Sequence, residues 1–232
     1  MQRMDIVLVH GSYHGAWCWD PLRPELERLG HRVFAMDLPI SDPAASLDAY
    51  AQAVDDALPA DSVPMLVGHS MGGLVIPLVA ARRSVKRLVF LAAFLPVPGK
   101  SANDQRSEEP IDGLIPPTTS EWTDMGDGVW MIGPHTATEL FYSDVPAPLA
   151  KWAVERLRPQ SYGVLGEVST LAAWPAVECR SIVCRDDHAA NPAWVRAAAR
   201  DRLGTEALEI DGGHSPFLTR PVELAALLDS IA

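Results

Sequence analysis

Residues 68–72 read Gly68-His69-Ser70-Met71-Gly72, a Gly-x-Ser-x-Gly spacing between an apolar run of strand character at 63–67 and a run able to form a helix at 71–81. A strand that turns sharply into a helix holds the central hydroxyl out at the top of a sheet, and the flanking glycines keep any Cβ out of the path of the incoming helix. That pattern nominates Ser70 as a nucleophile. A serine hydroxyl at its ordinary pKa is a weak one, so it needs a base within hydrogen-bond reach and a carboxylate to orient that base. Of the seven histidines, His135, His188 and His214 follow Ser70. His214 stands four residues beyond the apolar run 207–210, in Asp211-Gly212-Gly213-His214-Ser215-Pro216, whereas His135 falls in an irregular stretch and His188 directly adjoins two aspartates. Those aspartates, Asp186 and Asp187, follow the apolar run 181–184; Asp187 leads into the loop 188–191, and Asp186 suits a turn that bonds its own backbone. The chain order Ser, Asp, His is the one expected when all three follow strands of one sheet.

The chemistry of such a set is acyl transfer. It also needs two N–H donors for the negative oxygen of the tetrahedral intermediate. Met71, the residue after the nucleophile, supplies one, and Ser12, in the loop His10-Gly11-Ser12, is the expected second. A helix starting behind Ser70 adds the partial positive charge of its N-terminus. His10 and His14 lack the glutamate of a His-Glu-x-x-His helix, and Asp186-Asp187-His188 has no second ligand set at metal spacing, so neither a metal nor another cofactor is expected.

For residues so far apart to meet, the segments carrying them must end at one rim. Short continuous apolar runs at 6–9, 32–36, 63–67, 87–91, 181–184 and 207–210 suit strands covered on both faces. Helices are expected at 17–29, with Gly30 as its stop, at 46–58, capped by Ser46, at 71–81, at 192–203 and at 221–231. Pro77 removes one backbone hydrogen bond from the third of these and is expected to bend it. The alternation predicts an α/β fold, a mostly parallel sheet of about six strands with helices on both faces. It lapses at 96–176, a stretch rich in Pro, Ser, Thr and acidic residues, with strand character at 129–132 and helical patterns at 147–157 and 161–171, and then resumes. One domain is expected, with a core of 1–95 and 177–232 and an inserted cap of 96–176. Trp122, Trp130 and Phe141 of the cap are candidates to line an apolar substrate pocket, a small core of the cap itself being the other role for such rings.

Composition narrows the partners. With 232 residues, 48% hydrophobic and 21% charged, the chain is of the soluble globular class. Thirty acidic against nineteen basic residues give a formal net charge of −11, which disfavours nucleic acid and anionic membranes and leaves a small molecule as the expected partner. Three cysteines, Cys18, Cys179 and Cys184, are an odd number and argue for a reducing, cytoplasmic setting rather than a disulfide framework. Neither a signal peptide nor an apolar window of membrane-span length is apparent.

Three stretches carry a family resemblance: Val7-Leu8-Val9-His10-Gly11-Ser12-Tyr13-His14-Gly15-Ala16-Trp17-Cys18-Trp19, the run Gly68 to Gly73, and Ile182-Val183-Cys184-Arg185-Asp186-Asp187. On these the chain resembles the α/β-hydrolase superfamily over nearly its whole length, and within it the plant methylesterase and hydroxynitrile lyase group and its bacterial esterase relatives. The resemblance implies that Asp187 is the aspartate of the triad. Cyanohydrin-cleaving members carry a threonine where this chain has Gly11 and a lysine after the triad histidine, where it has Ser215. The resemblance therefore implies a cofactor-independent serine hydrolase, cleaving a small carboxylic ester through Ser70, His214 and Asp187 and an acyl-enzyme. A carbon–carbon lyase or cyclase using the same groups as general base, or a non-hydrolysing ligand receptor, are the alternatives on this scaffold. The oligomeric state is left open, a homodimer included.

Overall fold

Ile6, Val7, Leu8 and Val9 are fully buried, as a strand covered on both faces requires, and they make up most of β1 (Asp5–Val9). In the computed structural model, which describes residues 3–113 and 121–232, a short 3-10 turn at Ala16–Trp19 follows, then α1 (Arg23–Arg28), β2 (Arg32–Ala35), α2 (Leu47–Asp56), β3 (Met65–His69), α3 (Gly72–Ala80) and β4 (Arg87–Leu91). The next stretch carries α4 (Ala102–Glu108), β5 (Trp122–Gly126), β6 (Val129–Ile132), α5 (Pro134–Phe141), α6 (Ala147–Val154), β7 (Gln160–Ser161) and α7 (Gly163–Gly166). The chain closes with β8 (Glu178–Cys184), α8 (Pro192–Leu203), β9 (Leu208–Ile210), α9 (Pro216–Thr219) and α10 (Pro221–Ser230).

Six strands form one sheet in the order β2-β1-β3-β4-β8-β9, every neighbouring pair parallel, and β5, β6 and β7 form a separate antiparallel sheet. The strand order reverses direction between β1 and β3, and Val9 pairs with Gly68 there, so the loops after these two strands leave the sheet side by side. Alternate residues feed opposite cores. Val7, Val9, Leu66 and Phe90 pack with Tyr50 and Val54 of α2, Val75 and Val79 of α3 and Trp194 of α8. Ile6, Leu8, Val67 and Leu91 pack with Leu26 of α1, Phe217 of α9 and Leu224 of α10. Among the described residues no helix is long and apolar enough to cross a membrane.

Several elements differ from the sequence pattern for local reasons. The helix expected at 17–29 is divided into the 3-10 turn and α1, because Pro21 and Pro24 cannot donate to an uninterrupted ladder. β3 is shifted two residues toward the C-terminus of its expected run: Val63 is exposed, and His69 pairs with Leu91. The helix expected at 161–171 shrinks to α7, whose short run begins and ends in glycine. α3 continues through Pro77 to Ala80. α4, with its capping box between Ser101 and Asp104, and α5, with Pro134 in its first turn, were not anticipated from periodicity.

Buried histidines tie the loops at the carboxyl end of the sheet. His10 donates through Nδ1 to the Gly11 carbonyl (2.8 Å) while its Nε2 accepts from the Leu38 N–H (2.9 Å). His14 donates through Nδ1 to the Ser12 carbonyl (2.7 Å) and accepts at Nε2 from the Tyr142 hydroxyl (2.9 Å). His69 donates through Nε2 to the carbonyl of His214 (2.9 Å). The first two bonding patterns require a neutral ring, and burial, the largest influence on each, lowers His10 to about 4 and His14 to about 3 and holds His69 well below 6.5.

These groups take up protons in the unfolded chain at pH values where the folded chain does not. Their contribution to stability is complete above about 6.5 and is lost as the pH falls toward 4, at about 1.4 kcal/mol per pH unit for each ring. Carboxylates such as Glu209, held at about 2 by Arg196 and Arg185, lose theirs only from about 4.5 downward. The urea midpoint is therefore expected to fall clearly between pH 7 and pH 5; equal midpoints at the two values would contradict the neutral buried histidines.

Candidate active site

β3 ends at His69 and α3 begins at Gly72, so only Ser70 and Met71 make the turn. Ser70 is forced into the left-handed region, with φ of +53°, a conformation of order 1 kcal/mol or more above the ordinary ones for a residue with a Cβ. Its own backbone bonds hold it there. The Ser70 N–H donates to the Leu91 carbonyl (3.2 Å), and its carbonyl accepts from the N–H groups of Gly73 and Phe94 (3.1 Å each).

The glycines allow the close approaches around it. A Cβ at Gly68 would stand 2.7 Å from the Gly72 carbonyl oxygen, and one at Gly72 would stand 2.6 Å from that of Val9. β1 is thereby drawn against the start of α3, and its following loop comes beside the serine: a Cβ at Gly11 would be 2.7 Å from the Ser70 Cβ. The N–H groups of Ser12 and Met71 donate to no other group among the described residues, and Ser12 and Ser70 face one cavity.

His214 occupies the loop between β9 and α9, and Asp187 the loop after β8. The imidazole donates through Nδ1 to Asp187 Oδ2 at 2.8 Å, with Oδ1 at 3.0 Å, and both side chains are almost wholly buried. With the proton fixed on Nδ1, Nε2 is left as the basic lone pair. Asp187 Oδ1 also accepts from the N–H groups of Ala189 and Ala190 (2.8 and 2.9 Å), so the carboxylate that holds the histidine is also the one that bonds its own turn. Asp186, expected to be that turn residue, is exposed and contributes its N–H to the Gly212 carbonyl (3.0 Å). The residue before Ser70 holds the carbonyl of His214, joining the Ser70 turn to the histidine loop, and the rings of His69 and His214 lie 4.5 Å apart. Ser70 Oγ is hydrogen-bonded to no described residue; in sites of this type the contact to the base commonly tightens only in the substrate complex.

The cavity at Ser70 is walled on one side by the sheet loops and on the other by the segment between β4 and β8. Trp122 and Phe141 are among the residues that line it. Trp130 is not. It lies on the same face of β6 as the cavity residue Ile132 but about 7 Å further along the strand, where it pairs with Gln160. Residues not anticipated from sequence also reach the wall: Tyr13, Arg106, Tyr162, His188 and Trp194. Tyr13 has φ of +64° and nothing in its neighbours announces that. Arg106 sits on a polar helix that periodicity did not reveal, and its Nε stands 3.1 Å from Asp112 Oδ1 while its guanidinium lies 5.0 Å from the ring of Phe94. The loop carrying Asp112 is pinned to the Asp187 loop, with Gly113 N–H donating to the Ala189 carbonyl and Asn191 N–H to that of Ile111 (2.9 Å each).

Methylesterase 3 of Arabidopsis thaliana is 31% identical over 258 aligned residues, spanning 100% of this chain and 97% of that protein. Norfluorocurarine synthase 2 of a Strychnos species is 30% identical over 256, spanning 99% and 96%. The crystal structure of polyneuridine aldehyde esterase shares the fold with a TM-score of 0.82 at 23% identity, over 99% of each chain. The model of the alpha/beta hydrolase family matches residues 6–227, which take in the parallel sheet but for the first residue of β1, the elbow at Ser70 and the Asp187–His214 pair, and the chain belongs to that family.

Proposed function

We propose that the protein is a carboxylic ester hydrolase that cleaves a small ester through an acyl-enzyme on Ser70. The observation that carries the reading is the buried His214–Asp187 pair, 2.8 Å between Nδ1 and Oδ2, joined through His69 to a strained serine that lines a cavity together with Ser12. The similarity to methylesterase 3 over the whole chain supports the same chemistry.

In this mechanism His214 Nε2 takes the Ser70 proton as Oγ bonds to the ester carbonyl carbon. The carbonyl oxygen becomes an oxyanion facing the N–H groups of Ser12 and Met71. His214 then passes its proton to the departing alkoxide oxygen as the carbon–oxygen bond breaks, leaving the acyl group on Ser70. A water molecule gives its proton to His214 and attacks the acyl carbon, the acid departs, and Ser70 Oγ recovers its proton. Asp187 stays ionised throughout, and stabilises the imidazolium formed in each half.

A cyanohydrin-cleaving reading has less support. Ser215 is buried and uncharged beside His214, and a threonine at position 11 would need the Ser70 side chain to move, since a Cβ there would lie only 2.7 Å from the serine's own. The second reading worth testing is a lyase or cyclase in which His214 acts as general base without acylation of Ser70. The relative named as a synthase favours it.

Replacing Ser70 with Ala is expected to lower kcat for 4-nitrophenyl acetate and butyrate by about a thousandfold or more. A variant that keeps a tenth of wild-type turnover would remove the acyl-enzyme mechanism. Asp187→Asn is expected to lower kcat by about three to four orders of magnitude with KM changed only a few-fold, because the carboxylate acts on charge that develops after binding. A loss confined to KM would show that Asp187 serves binding instead.

A further inference from the structure

Tyr13 follows the Ser12 donor directly and, as a bulky residue with φ of +64°, stands in a conformation that only a constrained site retains. The Arg158 N–H holds its carbonyl (2.7 Å), and its ring packs 6.2 Å from that of Phe141. The phenol is directed at two partners on separate segments. Its oxygen is 2.5 Å from the hydroxyl of Tyr162, just before α7, and accepts the Nε1–H of Trp122, at the start of β5, at 3.2 Å. All three residues line the cavity that holds Ser70.

Counting protons gives this cluster a direction. One indole N–H and two phenol O–H groups bring three protons, and the two hydrogen bonds among them use two. Trp122 can only donate, so its bond to Tyr13 is fixed in sense. If Tyr13 donates to Tyr162, the Tyr162 proton is left over; if Tyr162 donates, the Tyr13 proton is. In either case one O–H lacks an acceptor among the described residues, at the wall of a largely apolar cavity. Burial holds the Tyr13 phenol far above its ordinary range, so Tyr13 keeps its proton. Arg106 in the same wall is already matched by Asp112, 3.1 Å away, which removes the incentive for an anion to bind there.

We propose that the Tyr13–Tyr162 pair recognises a neutral acceptor oxygen, a ketone, on the acyl chain of the substrate, a few bonds from the ester carbonyl. The acyl side follows from the loop: Tyr13 is the residue next to Ser12, which faces the carbonyl being attacked. The assignment rests on the ester-hydrolase reading of Ser70 and makes Tyr13 and Tyr162 specificity-determining residues.

The test compares 4-nitrophenyl 4-oxopentanoate, 5-oxohexanoate and 6-oxoheptanoate with the pentanoate, hexanoate and heptanoate, each kcat/KM corrected for the ester's rate with hydroxide. The wild type is expected to prefer the oxo ester by about tenfold at one chain length at least. Each single Phe variant keeps one unpaired O–H and is expected to retain part of the preference, whereas Tyr13→Phe/Tyr162→Phe brings the ratio to within threefold of unity. Ratios within threefold at every length in the wild type, or a preference undiminished in the double variant, overturn the proposal. Calorimetric binding of 5-oxohexanoate and hexanoate to Ser70→Ala protein reads the same contact without turnover and without altering the tyrosines. Binding of the oxo acid at least fivefold tighter is expected, and equal affinity counts against the pair. Because that arm does not depend on Ser70 as nucleophile, failure of the tyrosine assignment and failure of the hydrolase reading give different results.

Discussion

A Cβ on Gly73 would lie 2.1 Å from the carbonyl oxygen of Phe94, and one on Gly72 would lie 2.6 Å from that of Val9; the rest of the site depends on those backbones being able to touch. They bring the start of α3 into contact with the ends of β1 and β4, and Ser70 between them has nowhere to go but the left-handed region. The strain is balanced by bonds from Ser70 to the chain after β4. One consequence is that the loop after β1 arrives beside the serine with the N–H of Ser12 unengaged among the described residues. Another is that His69, at the end of β3, reaches the carbonyl of His214 from the far end of the chain. A parallel sheet gathers its loops at one end; the glycine contacts reduce that general proximity to contact distance.

The histidines around this point divide by what their nitrogens are given. His10 and His14 each have one donor and one acceptor partner, and burial keeps them neutral, so they act as fixed links between loops. His214 differs in having a buried carboxylate on one nitrogen only. That asymmetry sets it up for proton transfer at the other nitrogen. Asp187 is in turn held by two N–H groups of its own turn, and the loop bearing it is pinned by the segment 111–113, so the insert between β4 and β8 contributes to the rigidity of the Asp187–His214 pair as well as to the cavity.

The parallel sheet and the elbow are legible in the sequence because each rests on a local rule, whereas the choice of Asp187 over Asp186 as the partner of His214 comes with the family resemblance. Buried strands read as apolar runs, and the turn at Ser70 cannot be made without glycine at fixed offsets. The insert was less legible. Its helices are short, the polar α4 being announced only by a capping box and α5 only by a proline two residues after β6, and its hairpin of β5 and β6 is completed by β7, a two-residue strand about thirty residues further along the chain. Trp130 illustrates the limit: its strand was recognised, but which end of the strand meets the cavity is a tertiary fact. Tyr13 is the opposite case, a residue of the loop after β1 whose direction comes from a positive φ that no neighbour signals.

The central claim is that Ser70 carries the acyl group between two half-reactions. Rapid acid quench of the wild-type protein during turnover of 4-nitrophenyl butyrate, followed by digestion and mass spectrometry, tests it directly. The account predicts a butyryl mass on Ser70 within the first turnover, decaying as substrate is exhausted. Efficient turnover with Ser70 unmodified at every quench time, or with the acyl mass on another residue, would contradict it.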